Sequence, residues 1–161
     1  MTRDDRRNRG WRLRELIEKQ TVVLPGSFNA LTAMQIERAG FQALYISGAG
    51  LSAARGLPDI GLLSVTEVVS DAATIAKAVA IPAIVDADTG FGPPLAVVRA
   101  VKECEQAGLA GIQIEDQELP KKCGHLPGKR LVSTRDMVNK IRAASDARRD
   151  REFFIIARTD A

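Results

Sequence analysis

The chain has 161 residues, 45% hydrophobic and 27% charged, which excludes wholesale disorder and is the composition of a soluble globular chain. No apolar run reaches the ~18 residues of a membrane span, and the arginine-rich N-terminus lacks the apolar core of a secretory signal. The net charge of +3 hides an asymmetry, because residues 1–14 carry +4 and the remainder sums to −1.

Six arginines (Arg3, Arg6, Arg7, Arg9, Arg12 and Arg14) produce the basic N-terminus. Asp4 and Asp5 argue against an organelle transit peptide. With one Trp, one Tyr and no second basic face, nucleic-acid binding is not expected. The segment 1–20 reads instead as a solvated helical extension, Trp11 to Lys19, with Leu13, Leu16 and Ile17 packing on a neighbour. Residues 21–161 read as the N-terminal part of a larger domain, for the reasons below.

Five apolar, β-rich runs follow: Val22–Leu24, Ala43–Ile46, Ala83–Val85, Gly111–Ile114 and Phe153–Ile156. Helical patterns separate them. Asn29–Ala39 ends at Gly40, a C-terminal stop. Val68, Ala72, Ile75 and Val79 form a stripe behind the capping box Ser64-x-x-Glu67. Leu95–Ala107 opens after Pro93-Pro94, and Met137, Ile141 and Ala144 follow Ser133-x-x-Asp136. Alternation of this kind predicts parallel βαβ units. The strand-to-strand interval is about 33 residues, close to the ~31 of a (β/α)8 TIM barrel of ~250 residues. Five of eight strands are present. A five-stranded flavodoxin-like sheet is the alternative, but its last strand normally carries a covering helix.

From the second strand onward each apolar run ends in polar groups: Ser47-Gly48-Ala49-Gly50, Asp86-Ala87-Asp88-Thr89-Gly90, Glu115-Asp116-Gln117 and Arg158-Thr159-Asp160. In parallel α/β folds the carboxyl ends of the strands carry the active site. Strand alternation would aim Asp86 and Asp88 the same way, and two such carboxylates repel unless a cation or proton separates them. Mg2+ suits this all-oxygen set, whereas one His and two Cys disfavour zinc. The alternative is a capped strand end bonding loop amides; Glu115 on the next strand tips the balance to metal.

Lys121-Lys122-Cys123-Gly124-His125 is the second constellation. Neighbouring cations favour thiolate and move Cys123 toward the range where a thiol exchanges protons near neutrality, while Cys104, on an apolar helix face, reads as a core residue. His125 is either catalytic or loop-orienting. Neither cysteine lies in a CxxC pattern, which fits a reducing compartment, the cytoplasm. The Ser47–Gly50 turn lacks a dinucleotide or P-loop spacing, but its amides and hydroxyl suit a carboxylate. Arg158 is either a bidentate carboxylate clamp or the partner of Asp160 or Glu115.

Read together, Pro25-Gly26, Tyr45-Ile46-Ser47-Gly48, Gly56-Leu57-Pro58-Asp59, Asp86 to Gly92, Gln113 to Gln117, Lys121 to His125 and Ala157 to Ala161 resemble the isocitrate lyase and phosphoenolpyruvate mutase superfamily. Within it the methylisocitrate lyases are most similar. The resemblance implies Mg2+-dependent cleavage of 2-methylisocitrate to pyruvate and succinate, in propionate catabolism through the methylcitrate cycle. It implies that Asp86 and Asp88 hold the metal region, with Glu115 and Asp59 in the surrounding shell. Cys123 would protonate the succinate carbanion, tuned by Lys121 and His125. Ser47, Gly48, Ala49, Gly124 and Arg158, beside Cys123, would bind the tricarboxylate substrate.

Gln113 stands where some relatives have His, and Ala49 where some have Gly. Relatives continue through three more strands and through C-terminal helices used in oligomer contacts, so the implied full-length state is a homo-oligomer, a tetramer, with no nucleic-acid or membrane partner. Three readings compete: this lyase; another superfamily chemistry such as isocitrate or 2,3-dimethylmalate cleavage, oxaloacetate decarboxylation or phosphonate formation; and an inactive truncated fragment. The Cys123 segment favours the first over the second, and the 161 residues alone are expected to turn over little substrate.

Overall fold

The computed structural model describes residues 9–124 and 126–161. Its elements in chain order are α1 (Arg9–Lys19), β1 (Gly26–Ser27), α2 (Ala30–Arg38), β2 (Leu44–Ile46), α3 (Gly48–Ala54), α4 (Val65–Lys77), β3 (Ala83–Asp86), α5 (Pro94–Gln106), β4 (Gly111–Glu115), α6 (Thr134–Ala147) and β5 (Phe154–Arg158). The helix starts follow the caps in the sequence. Asn29 accepts from the Thr32 amide, Ser64 and Glu67 form a reciprocal box, and Ser133 accepts from the Asp136 amide. Each satisfies an amide that has no intrahelical acceptor.

All five strands are parallel and lie in the order β1-β2-β3-β4-β5. A flavodoxin-like sheet would reverse direction after its first strand, in the order 2-1-3-4-5. Sequential order with right-handed crossovers puts successive helices on one face, which is the plan of a (β/α) barrel wall. The chain is therefore an α/β fold of partial TIM-barrel type.

Side-chain alternation divides the sheet into two faces. Leu44, Ile46, Ala83, Val85, Ile112 and Ile114 point outward and pack against the stripes of α4, α5 and α6. Ala43, Ile84 and Ala110, with Tyr45, Phe154 and Ile156 beside them, pack around Leu13 of α1. Burial of a leucine of this kind stabilises by about 1.5–3 kcal/mol. Gly111 keys β4 to β5: a Cβ there would lie 2.6 Å from the Phe154 Cβ and 2.8 Å from its carbonyl oxygen. This fixes a register in which Gly111 faces Phe154 and Glu115 faces Arg158.

Three expectations need correction. The first strand is Gly26–Ser27, not Val22–Leu24. Val22 and Leu24 pack on the Leu13 cluster, and the ladder begins only where the Tyr45 amide reaches the Pro25 carbonyl, at 3.0 Å. The Ser47–Gly50 segment is no simple turn; it opens α3, with Ser47 as its N-cap. The N-terminal helix forms with Leu13 packed as expected, but its start is buried instead of solvated. Arg9 is 2% exposed and donates to the carbonyls of Ala76 (2.8 Å), Val79 (2.7 Å) and Gly108 (3.1 Å). It thus serves carbonyls at or just beyond the C-terminal ends of α4 and α5, where backbone acceptors are orphaned. Arg12 donates to Ala80 and Arg14 pairs with Glu152. Trp11 and Ile17 remain about half exposed. Among the described residues no helix is long and apolar enough to cross a membrane.

Candidate active site

The polar strand ends gather on one rim because the strands are parallel and in register. Tyr45, Asp86, Gln113 and Glu115 come from the inner positions of three adjacent strands, and Arg158 from the fourth. Gln113 Nε2 donates to the Tyr45 hydroxyl at 2.9 Å. Burial, then the nearby Asp86 carboxylate, raises the Tyr45 pKa, so its hydroxyl stays protonated at all ordinary pH.

Asp86 ends β3, and Asp88 lies beyond it in the left-handed region, φ 47°. The period-two argument for two aligned carboxylates therefore stops at Asp86. One Asp86 oxygen accepts the Asp88 amide at 3.1 Å, so the capped strand end is realised in part. Asp88 turns to Lys121, whose Nζ stands 2.7 Å from Asp88 Oδ1 and 2.5 Å from Asp59 Oδ1. Burial alone would lower the lysine pKa; Asp88 and Asp59 outweigh it and raise it. Burial leaves the Asp88 pKa above its usual value despite Lys121. Lys121 therefore directs its ammonium at these carboxylates, a placement not foreseen from its proximity to Cys123 in the sequence.

Glu115 is 3% exposed and less fully neutralised. Its Oε2 is 3.6 Å from Arg158 Nη1, and its Oε1 is buried without a hydrogen-bond partner. Burial raises its pKa to about 7; Lys121 and Arg158 oppose that rise, while Asp160 and Asp86 add to it. Arg158 gives its remaining donors to Asp160 Oδ1, from Nε and Nη2 at 2.8 Å each. Both ion-pair alternatives for this arginine are thus present.

The Cys123 segment is fixed on each side of the thiol. Gln117, 1% exposed, accepts the Lys122 amide at 2.9 Å, donates to the Lys122 carbonyl at 2.9 Å and reaches Asp160 Oδ2 at 2.5 Å. Lys129 donates to the Gly124 carbonyl at 2.7 Å. A Cβ on Gly124 would lie 2.3 Å from Arg158 Nη2, so only glycine lets the segment approach the guanidinium so closely. Cys123 is half-buried and in no disulfide, whereas Cys104 is buried, with its pKa pushed up to about 12 by burial. The expectation for His125 falls outside the described residues. Ser47 accepts the Gly50 amide at 3.1 Å and keeps its own proton to donate, while Gly48 and Ala49 lie in the first turn of α3, whose amides lack intrahelical acceptors.

Among the described residues, no three acidic, histidine or cysteine side chains form a group able to hold a metal ion. Lys121 stands between two of the candidate carboxylates, Asp59 and Asp88. The residues still fit a Mg2+ that keeps most of its ligands as water or substrate oxygens. The buried Glu115 Oε1 has no hydrogen-bond partner, and Gly48 keeps clear the space beside Asp86, where a Cβ would come 3.3 Å from its carboxylate.

An α/β wall of barrel type, with its buried charges gathered at the carboxyl ends of its strands, is the class that fold and site define. The chain belongs to the phosphoenolpyruvate phosphomutase family, whose model matches residues 13–161. It is 54% identical over 150 residues to 2-methylisocitrate lyase of Aeropyrum pernix, covering 92% of this chain and 48% of that protein. It is 51% identical over 156 residues to 2,3-dimethylmalate lyase of Eubacterium barkeri, covering 96% and 54%. Among solved structures, oxaloacetate acetylhydrolase bound to 3,3-difluorooxalacetate superposes with a TM-score of 0.91 at 39% identity, covering 96% of this chain and 55% of that one. A phosphonopyruvate hydrolase complex with oxalate and Mg2+ gives 0.85 at 36%, covering 96% and 53%. The chain spans about half the length of the curated relatives it matches.

Proposed function

We propose that the protein to which this chain contributes is a Mg2+-dependent carbon–carbon lyase that cleaves 2-methylisocitrate to pyruvate and succinate. The observation that carries the reading is the pairing of two features on one rim: the buried carboxyl of Glu115, one oxygen of which has no hydrogen-bond partner, on the strand next to that of Asp86, and a thiol on a segment fixed against Arg158. The recurrence of 2-methylisocitrate lyases among relatives at 42–54% identity supports this substrate, with 2,3-dimethylmalate, named for a relative at 51%, as the alternative. The placement in the methylcitrate cycle, the cytoplasmic location and the tetramer follow as parts of the same proposal.

Bound beside Asp86 and Glu115, Mg2+ would act as a Lewis acid toward the charge that develops on substrate oxygens during cleavage. Lys121 holds Asp59 and Asp88 in place around that region. Ser47 donates its hydroxyl proton, and the first-turn amides of Gly48 and Ala49 their N–H groups, to a substrate carboxylate. Arg158, bridged to Asp160 and Glu115, supplies the positive charge on the opposite side. Cys123 delivers its proton to the carbon that becomes a methylene of succinate, in the role of general acid, while the proton released from the substrate hydroxyl as the pyruvate carbonyl forms passes to solvent, from which the thiolate is reprotonated; His125 is its proposed partner.

The test is pyruvate release from 2-methylisocitrate and Mg2+ by the full-length protein. Cys123→Ser should lower turnover by about 10²–10⁴-fold while Mg2+ binding, measured by calorimetry, is kept. Turnover preserved in that variant would refute the acid assignment. Cleavage of 2,3-dimethylmalate in preference to 2-methylisocitrate would overturn the substrate.

A further inference from the structure

Gln117 has no place in the chemistry above, yet it is among the most deeply buried polar side chains of the molecule. It lies just past the end of β4, where a glutamine would ordinarily find water. Instead its amide is saturated by two parts of the chain far apart in sequence. On one side it holds both backbone groups of Lys122, the residue before Cys123. On the other it reaches Asp160, whose second oxygen is bound by Arg158. Burial alone would raise the Asp160 pKa, but the bonds from Gln117 and Arg158 hold it below its usual value. The same aspartate is anchored from the backbone, its amide donating to Asp116 at 2.9 Å.

We infer that Gln117 is the positioning residue that sets the segment carrying Cys123 against the Arg158–Asp160 pair. Both neighbours of Cys123 are fixed: Lys122 by Gln117, and Gly124 by its packing on Arg158 and by Lys129. Of these, the contact through Gln117 is the one that ties the segment to Asp160 through a single side chain. A carboxamide is required because one atom must accept from the Lys122 amide while the other donates to two oxygens. A leucine of similar volume fills the space and does neither. A glutamate accepts but, when ionised, cannot donate, and it sets a second carboxylate beside Asp160. The inference rests on the assignment of Cys123 as the acid for its catalytic meaning, but not for its structural content.

The experiment is the rate at which Cys123 reacts with a thiol-specific disulfide reagent in the folded protein. Cys104 is 1% exposed, so it stays silent until unfolding. Gln117→Leu should raise the Cys123 rate about tenfold or more, as expected for losing hydrogen bonds to a charged partner. Gln117→Glu should match it at pH 8. Relative to wild type at each pH, its rate should fall back toward unity as the pH is lowered and the new carboxyl regains a donor proton. Unchanged rates in both variants, with circular dichroism confirming the fold, would overturn the inference. A pH-independent ratio in Gln117→Glu would do the same, because a packing role alone does not respond to the proton. In turnover assays the Leu variant should lose kcat with KM nearly kept. If the variants accelerate labelling while Cys123→Ser keeps full activity, the positioning stands and the acid assignment fails.

Discussion

At the N-terminal ends of the strands, Arg9 is buried against the carbonyl oxygens of Ala76, Val79 and Gly108, with Leu13 filling the space beneath the sheet. At the C-terminal ends, Glu115, Asp88 and Lys121 are equally hidden, but a Glu115 oxygen and the Thr89 hydroxyl find no partner. Burying a charge costs free energy at either end. Below, neutral backbone dipoles answer a single cation whose charge never changes. Above, the charges answer one another incompletely, and the deficit is negative. The lower arrangement supports the fold without any ligand, whereas the upper one is completed by a cation or an added proton.

The largest test of this contrast is Arg9→Met. It strips partners from three carbonyl oxygens and should lower stability by roughly 3 kcal/mol in urea unfolding. A midpoint equal to wild type would show that the lower end does not depend on the arginine.

Next is Glu115. Its folded-state pKa of about 7 lies above the ~4.3 of an unfolded glutamate, so between those values the folded chain holds the extra proton. Stability from this group is full below about pH 4 and declines as pH rises through 7, by roughly 2 kcal/mol once partial screening is allowed for. Urea midpoints from pH 5 to 8 should show that decline. Glu115→Gln should remove the part owed to this residue, since Asp88 contributes a decline of the same sign. Saturating Mg2+ should flatten the slope, and a slope unaffected by the metal would separate Glu115 from the proposed site.

The smallest effect has the opposite sign to the first. Thr89→Val removes a buried hydroxyl that has no partner, so stability should stay level or rise by up to about 1 kcal/mol. A loss of more than that would mean the hydroxyl is satisfied and the upper end is less frustrated than described.

Most of the scaffold was legible because local rules and packing agree in it. The box at Ser64 and the cap at Ser133 start helices whose apolar stripes face the sheet, and the third to fifth strands are short apolar runs that each end in a charged residue. The first strand was misplaced because Val22 and Leu24 are apolar for a different reason: they fill the space around Leu13 instead of joining the ladder. α3 was missed because Gly48 and Gly50 mask a short helix, although Ser47 before Ala49, Leu51 and Ala53 was a usable signal. At the rim, residue types pointed to the right strands, but orientation did not follow from spacing. Asp88 escapes the strand period by its positive φ, and Lys121 crosses to Asp59, 62 positions away. Gln117 carried no signal beyond its place after Glu115 and Asp116, since its partners at Lys122 and Asp160 meet only in three dimensions.

Gly111 bears on how the rim is assembled without mistakes. A slip of two residues between β4 and β5 would keep every side chain on its proper face, so hydrophobic patterning alone would not reject it. It would, however, bring a residue with a side chain against Phe154, where only a hydrogen fits. The glycine thereby proofreads the pairing of Glu115 with Arg158 from four residues away, a lever arm of about 13 Å along the strand. Fidelity of the charged end is checked at the apolar end, before any ligand is there to reward the correct match.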